Sequence, residues 1–215
     1  MTRNQIITRR GTTACVFAPL LRPHLARAQR AQVGEVAALR GTATAAFAGE
    51  AIRPLAPAAP VLLEDTLGTG SASRLTCRLQ GGLDVRLGEN ASLRVDALTL
   101  HGPRPGVALH SFGGSMLVVR APAPAGAPVE ITLPWARIGV RGTRVFAGAV
   151  DGAYAVFVAR GRVAVVTARG EIVLTQGEGV DVAPSSPTRR GPDRRLGDVQ
   201  RWSDARIARA LALVD

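Results

Sequence analysis

Apolar residues recur with a period of two, not 3.6, from Val33 to about Ala183. Leu83–Leu87 and Leu93–Asp96 alternate apolar with charged side chains, as strands with one buried face do. The 24 glycines and 14 prolines are spread along the chain rather than repeated, which is typical of an all-β domain with many tight turns. The sequence therefore predicts an all-β fold, a twisted antiparallel β-sandwich or β-roll of about ten to twelve short strands with a short C-terminal α-helix.

Glycine-containing turns divide the predicted strands. Asp151-Gly152 separates two strand-like runs, Arg144–Val150 and Ala153–Ala159, and is a favoured two-residue hairpin loop. Further hairpins are predicted at Arg169-Gly170, at Gly81-Gly82 and at Gly88–Asn90. Strands so rich in glycine need bulges and close approach between strands, so we expect a strongly twisted and bent sheet.

Beyond the β region, the sequence predicts a linker over 184–201 and a helix over 202–215. Ser203 can cap this helix, and Ile207 and Leu211 lie on one apolar stripe. Trp202 stands just before the cap. The stripe predicts either a helix that packs on the sheet of its own chain, with Trp202 as its anchor, or a helix that engages another chain.

Residues 1–28 have the order of an export signal, with a basic start, a short apolar middle and a small-residue cleavage site. Thr8-Arg9-Arg10 precedes the apolar run, and Ala26-Arg27-Ala28 precedes Gln29. The paired arginines are similar to those of a twin-arginine signal, so we expect a periplasmic protein whose signal is cleaved near Ala28. The alternative is an amphipathic first helix of a cytoplasmic protein. The apolar run is too short to span a bilayer, and no later stretch approaches a membrane span.

The net charge of +11 comes entirely from arginine, because the chain contains no lysine. Both ends are basic, with five arginines and no acidic residue in 1–28, and seven arginines against four acidic residues in 185–215. The stretch 29–184 holds fifteen arginines against twelve acidic residues, a net of +3. The predicted globular part is therefore nearly balanced, which is a weak case for a phosphate-binding face. We expect no nucleic-acid partner.

A catalytic site needs a base near a nucleophile, or a metal with several ligands. His101 and His110 flank a Gly/Pro loop and could meet across a hairpin, but they fit solvated loop histidines better. Glu64-Asp65 fits an acidic pair that faces solvent and neighbouring arginines better than a calcium site. Cys77 shares the apolar face of a strand and fits a small buried residue. The sequence therefore predicts no enzyme, no catalytic residue, no metal site and no cofactor.

Several segments in the right order resemble the FecR domain family and cover nearly all of 33–183. They are Val33–Val36 with Arg40-Gly41, Asp65–Ser71, Gly82–Asn90, Trp135–Phe146 with its Arg-Gly-Thr hallmark, and Ala159–Val163. The resemblance implies a periplasmic all-β module. In the best-known members that module belongs to a transmembrane anti-sigma regulator and reads an outer-membrane receptor. With no cytoplasmic helical segment or membrane span apparent in its sequence, this chain is more similar to the stand-alone exported members.

The candidate binding residues lie in the hallmark segment and are Trp135, Arg137, Arg141, Gly142, Thr143 and Arg144. Gly142 fits a bulge or a close backbone approach. Arg141 has two interpretations. Its guanidinium either donates hydrogen bonds to buried carbonyls or pairs with an acidic side chain; alternatively, it forms a binding face with Arg137 and Arg144. The candidate partner helix contributes Trp202, Ile207 and Leu211.

These observations favour an exported, non-enzymatic FecR-like binding or scaffold module whose partner is an envelope protein or the cell wall. The alternative is a regulatory signalling subunit that acts through a separate membrane partner in an anti-sigma-like pathway. An enzyme of unrecognised type would need His101, His110 and acidic residues in one cleft. Nucleic-acid binding fits these observations least.

Overall fold

A computed structural model describes residues 30–120, 127–182, 187–188, 191–192 and 196–215, with the backbone alone for 141–143, 187–188 and 191–192. The predicted signal over 1–28 lies outside these residues, as does part of the predicted linker over 184–201. The prediction of a mostly β fold with one short helix is confirmed. Among the described residues, no helix is both long and apolar enough to cross a membrane.

Within the described residues, sixteen strands join in one curled sheet, and two more form a separate small hairpin. Several of the eighteen are only two to four residues long, too short to be recognised from alternation, so their number exceeds the expected ten to twelve. The elements are β1 (Gln32–Arg40), β2 (Ala43–Ala46), β3 (Arg53–Pro54), β4 (Pro60–Leu62), β5 (Thr66–Thr69), β6 (Arg74–Leu79), β7 (Leu83–Leu87), β8 (Ser92–Thr99), β9 (Gly106–Gly113), β10 (Met116–Arg120), β11 (Val129–Leu133), β12 (Ala136–Val150), β13 (Ala153–Thr167), β14 (Gly170–Thr175), β15 (Glu178–Val182), β16 (Pro187–Thr188), β17 (Gly191–Pro192), β18 (Gln200–Arg201) and α1 (Asp204–Ala212).

The sheet has two layers because its longest strands, β12 and β13, run through both. The first half of β12 pairs with β11 and the second half of β13 with β14. The second half of β12 pairs with β10 and the first half of β13 with β15. We call the layers the front layer, ordered β3-β2-β5-β8-β9-β11-β12-β13-β14, and the back layer, ordered β4-β1-β6-β7-β10-β12-β13-β15-β18.

One strand pair departs from the expected antiparallel arrangement. β9 and β11 are parallel, with Leu109 opposite Ile131. The intervening strand β10 lies in the back layer, between β7 and β12. The chain therefore leaves the front layer after β9 and returns to it in the same direction, which a reading of local turns cannot reveal.

Both long strands bend at one corner of the sandwich. The β12–β13 register shifts between Arg141 and Val145, and Gly161 on the facing strand adopts a φ of 91°. An extra residue in a ladder bends the strand that carries it. The Arg-Gly-Thr segment 141–143 therefore lies where the chain passes from the front layer to the back layer.

The main core fills the space between the layers. Leu67 and Leu93 of the front layer and Leu75 and Val145 of the back layer belong to one contiguous buried cluster. Full burial of side chains of this size contributes about 1.5–3 kcal/mol each. A second buried cluster lies on the outer face of the back layer, where α1 covers Leu117, Phe146 and Phe157.

The turn predictions have mixed outcomes. The hairpin at Asp151-Gly152 is confirmed, because Val150 lies opposite Ala153 and the two loop residues have φ of 53° and 80°, as a type I′ turn requires. The hairpin predicted at Gly88–Asn90 is wrong, because β7 pairs with β6 and β10 and β8 with β5 and β9. Those residues instead connect the two layers. The prediction failed because a glycine-rich turn does not specify which strands pair with each other.

Candidate binding surfaces

The hallmark segment does not present a single face. Trp135 is half-buried and meets the Tyr154 ring edge-on, with centroids 5.5 Å apart, beside the main core. Arg137 is exposed on the front layer between the buried residues Ala136 and Ile138. Arg144 follows the bend and belongs to the back layer, next to β10. Arg137 and Arg144 are therefore not brought together, and for Arg141, Gly142 and Thr143 the structure describes the backbone alone.

Arg144 instead meets a second arginine, and we call Arg144 and Arg160 the arginine pair. They lie opposite one another in the β12–β13 ladder, and both are half-buried. The Nε atoms of both are buried and have no hydrogen-bond partner. Arg160 donates through Nη2 to the Arg120 carbonyl at 2.7 Å. Like charges that face each other across a ladder are destabilising, so this arrangement needs a compensating contact.

In the described part of the chain, the carboxylate that lies in register with Arg144 across β10 is that of Asp84, and it pairs with Arg78 instead. Neither member of the arginine pair belongs to an ion pair there, and the neighbouring Arg120 is buried with its guanidinium donating to the Ala127 carbonyl. Buried donors without partners are rare in native structures, so an acceptor that reaches the two Nε atoms would stabilise this arrangement. Two adjacent guanidinium groups match the geometry of a carboxylate or another oxyanion.

The predicted partner helix packs on its own chain. Trp202 is buried and stacks on Phe157 with ring centroids 4.6 Å apart. Ile207 and Leu211 are partly buried against the same cluster. Ser203 caps α1, because its side chain accepts a hydrogen bond from the Arg206 amide. The contacts of these three predicted residues are those of a helix docked on its own sheet.

Ion pairs hold α1 against the β12–β13 hairpin. Arg209 donates to Asp151 at 2.8 Å, and Arg206 lies 3.6 Å from the same carboxylate. The hydrogen bond from Arg209 lowers the pKa of Asp151 below its ordinary value. Arg206 also pairs with Asp181 and lies over the Trp202 ring, 4.1 Å from its centroid. The helix is therefore fixed by charge as well as by apolar packing.

A cleft of about 480 Å³ opens on the outer side of the front layer, near the ends of β2, β5 and β8. It is lined by Phe47, Ala48, Glu64, Thr66, Arg94 and Asp96. The hydrogen bond from Arg94 to Asp96, with the nearby charge of Glu64, raises the pKa of Arg94 above its ordinary value. Carboxylates, a guanidinium group and a hydroxyl group therefore converge on this cleft.

An exposed aromatic ring adjoins the cleft. Phe112 is 46% exposed and stacks on His110 with ring centroids 4.5 Å apart. The Arg94 guanidinium lies 5.6 Å from the Phe112 ring centroid, and His110 Nδ1 lies 3.7 Å from the Asp96 carboxylate. We call the whole surface the polar–aromatic cleft, formed by Phe47, Glu64, Thr66, Arg94, Asp96, His110 and Phe112.

The residues that the sequence offered as possible catalytic or metal-binding groups lie in different parts of the fold. His110 lies in β9, not in a loop, whereas His101 is exposed in the loop after β8. The burial predicted for Cys77 is confirmed, and burial raises the pKa of its thiol to about 12. Among the residues that the structure describes, no group of three or more His, Cys, Asp or Glu side chains could hold a metal ion.

The expected solvent-facing position of Asp65 is wrong. Its side chain is 1% exposed and pairs with Arg30 at 2.7 Å and with Arg53 at 2.6 Å, so the part of the prediction that named neighbouring arginines is confirmed. Asp65 also accepts a hydrogen bond from the Leu62 amide. Desolvation alone would lower the pKa of Arg30, but the hydrogen bond and charge of Asp65 raise it. Asp65 is thus a structural group.

Sequence reasoning missed Arg160 and Phe112. Arg160 stands in the closing FecR-like segment, and its position directly before Gly161 at the bend was the available signal. Phe112 alternates with His110 on β9 and precedes Gly113-Gly114, but alternation alone does not show which face of a strand is outward. Its aromatic character favoured the core.

Comparisons with known proteins agree with the resemblance seen in the sequence. Residues 65–164 match the family described as FecR protein, and the match includes the hallmark segment and both arginines of the pair. Two crystal structures of a candidate anti-sigma factor from Parabacteroides distasonis ATCC 8503 are similar at 17% identity and a TM-score of 0.47, and 62% of this chain is covered. This chain spans 60% of the length of those chains. No curated protein matches it.

Proposed function

Proceeding from a chain that carries a FecR domain, we propose that this protein is an exported, non-enzymatic module of the cell envelope that binds another envelope protein in a regulatory signalling pathway. The FecR match over 65–164 supports the regulatory role. The signal-like order of residues 1–28 supports export to the periplasm with cleavage near Ala28. The nearly balanced charge of 29–184 favours a protein partner over nucleic acid.

The arginine pair is the observation that carries this proposal. Arg144 and Arg160 face each other with buried, unpartnered Nε atoms, and they lie inside the matched family segment. A carboxylate from an acidic segment of a partner protein would relieve the repulsion and accept the free donors. Charge-assisted contacts of this kind determine which partner binds and how fast it associates.

In-cell photo-crosslinking tests the proposal. The crosslinking residue replaces Arg162, which is exposed two positions from Arg160, in a chain tagged at its C-terminus. We expect one recurring envelope protein to be captured, by a chain that begins near Gln29. Replacement of both Arg144 and Arg160 by Glu should abolish capture, because two guanidinium groups become two carboxylates.

The matched control replaces Arg78 and Arg104 by Glu, which changes the net charge by the same amount at exposed positions. This control should retain capture. Equal capture by the Arg144/Arg160 variant would overturn the proposed contact. Recovery of the chain from the cytoplasm with residues 1–28 intact would overturn the proposed location.

A further inference from the structure

The polar–aromatic cleft lies apart from the proposed protein contact. It is on the outer side of the front layer, whereas Arg144 belongs to the back layer. The part of it beside His110 and Phe112, which Glu64, Thr66, Arg94 and Asp96 help to line, has a volume of about 480 Å³, within the roughly 300–1,000 Å³ typical of small-molecule sites. The cleft is therefore large enough to hold a ligand of its own.

Phe112 supplies a flat apolar platform. Few large apolar side chains of the described residues are exposed, and they are Ile52, Phe112, Val166, Val173 and Val199, of which Phe112 is the aromatic one. The His110 ring supports it on one face with the two planes 11° apart. An aromatic ring that is held in a fixed orientation and left half exposed can stack on the flat face of a ligand.

The polar groups beside the platform carry both signs of charge. Glu64 and Asp96 accept hydrogen bonds, Arg94 donates them, and Thr66 does both. The hydrogen bond between Arg94 and Asp96 fixes the two side chains relative to each other. Two carboxylates repel a phosphate group, so the chemistry matches a neutral ligand that is rich in hydroxyl or amide groups.

A sugar ring combines these properties, since it presents an apolar C–H face and a rim of hydroxyl groups. We propose that the polar–aromatic cleft binds a sugar unit of an N-acetylated glycan strand of the kind found in cell walls. This inference rests on the proposed export of the chain, which would bring it to the wall, and not on the arginine pair. The chain would then hold a glycan on one layer and a protein on the other.

An NMR titration of the ¹⁵N-labelled protein with the β-1,4-linked tetramer of N-acetylglucosamine tests this inference. We expect saturable shifts at the amides of Arg94, His110 and Phe112. Replacement of Phe112 by Ala should weaken binding about tenfold or more, as for loss of an aromatic stacking platform. Arg94→Ala should weaken it by a similar factor.

Two controls match these variants. Val173→Ala removes an equally exposed apolar side chain of the front layer, and Arg78→Ala breaks an exposed arginine–aspartate pair; both should bind the tetramer as the wild type does. Absence of saturable shifts, shifts confined to other surfaces, or equal affinity of the Phe112 variant would overturn the inference. The Arg144/Arg160 variant should keep glycan binding, so loss of protein capture and loss of glycan binding are distinguishable.

Discussion

Trp202 stacks on Phe157 with ring centroids 4.6 Å apart and ring planes 14° apart. This contact joins the residue before α1 to a strand of the back layer. Together with Phe146 and Leu117 it forms an apolar cluster outside the main core. The C-terminal helix therefore acts as a cover for a sheet face that would otherwise expose large aromatic side chains.

Replacement of Trp202 by Ala should remove that cover. Truncation of a buried aromatic side chain costs about 3–5 kcal/mol, so we expect the free energy of unfolding to fall by about 3 kcal/mol in urea denaturation. Val199→Ala, at a position that is 43% exposed, should change it by less than about 0.5 kcal/mol. An unchanged unfolding midpoint in the Trp202 variant would show that the helix is not docked.

Gly179 lies beneath the same indole ring. A Cβ atom at this position would overlap Trp202 Nε1 and approach the Val156 carbonyl. Gly179→Ala should therefore push the ring off Phe157 and shift tryptophan emission to longer wavelength, measured with Trp135 replaced by Phe. Gly113→Ala is the matched control, because a Cβ there meets nothing within 4 Å. Identical spectra for the two variants would contradict the stacked position of Trp202.

The Asp65→Asn variant tests the buried ionic cluster. Removal of one partner from a buried ion pair costs about 3–5 kcal/mol, because the other charge is left uncompensated. Arg30 and Arg53 keep some solvent contact, so we expect a loss near the lower end, about 3 kcal/mol, in chemical denaturation. Asp84→Asn breaks the exposed pair with Arg78 and should cost about 0.5 kcal/mol or less. Similar losses in the two variants would refute a special role for Asp65.

Acid should loosen the ionic attachment of α1. The pKa of Asp151 is lowered by the hydrogen bond from Arg209, so its stabilising effect is present above the ordinary aspartate pKa of about 3.9 and is lost as the pH falls through the lowered value. The melting temperature of Asp151→Asn should therefore lie below that of the wild type at neutral pH and converge with it in acid. Asp198→Asn, at an exposed position, should track the wild type throughout. A gap that persists in strong acid would exclude an ionic origin.

The sequence predicts the local features of this fold well. Alternation identifies the strands, and Asp151-Gly152 identifies its hairpin. One of the two interpretations of Trp202, as the anchor of a helix that packs on its own sheet, agrees with the structure. These features depend on neighbours in the chain, through φ preferences, strand pleating and helix capping. Interactions between residues close in the sequence are therefore sufficient to predict these features.

Features that depend on distant pairing could not be predicted in the same way. Gly88–Asn90 has the residues of a hairpin but connects the two layers, and the parallel pairing of β9 with β11 depends on where β10 lies. The bend within β12 sends Arg137 and Arg144 to different layers, although both belong to one motif. Arg160 and Phe112 became candidates only when the registers of their strands were known.

The most direct measurement of the central claim is the affinity of the purified protein for the envelope protein captured in cells. We predict that Ala at both Arg144 and Arg160 weakens binding by about tenfold or more, as loss of charge-assisted contacts does, and reduces its dependence on salt. Ala at Arg78 and Arg104 should leave the affinity unchanged. Equal affinities for the wild type and the Arg144/Arg160 variant would contradict the account.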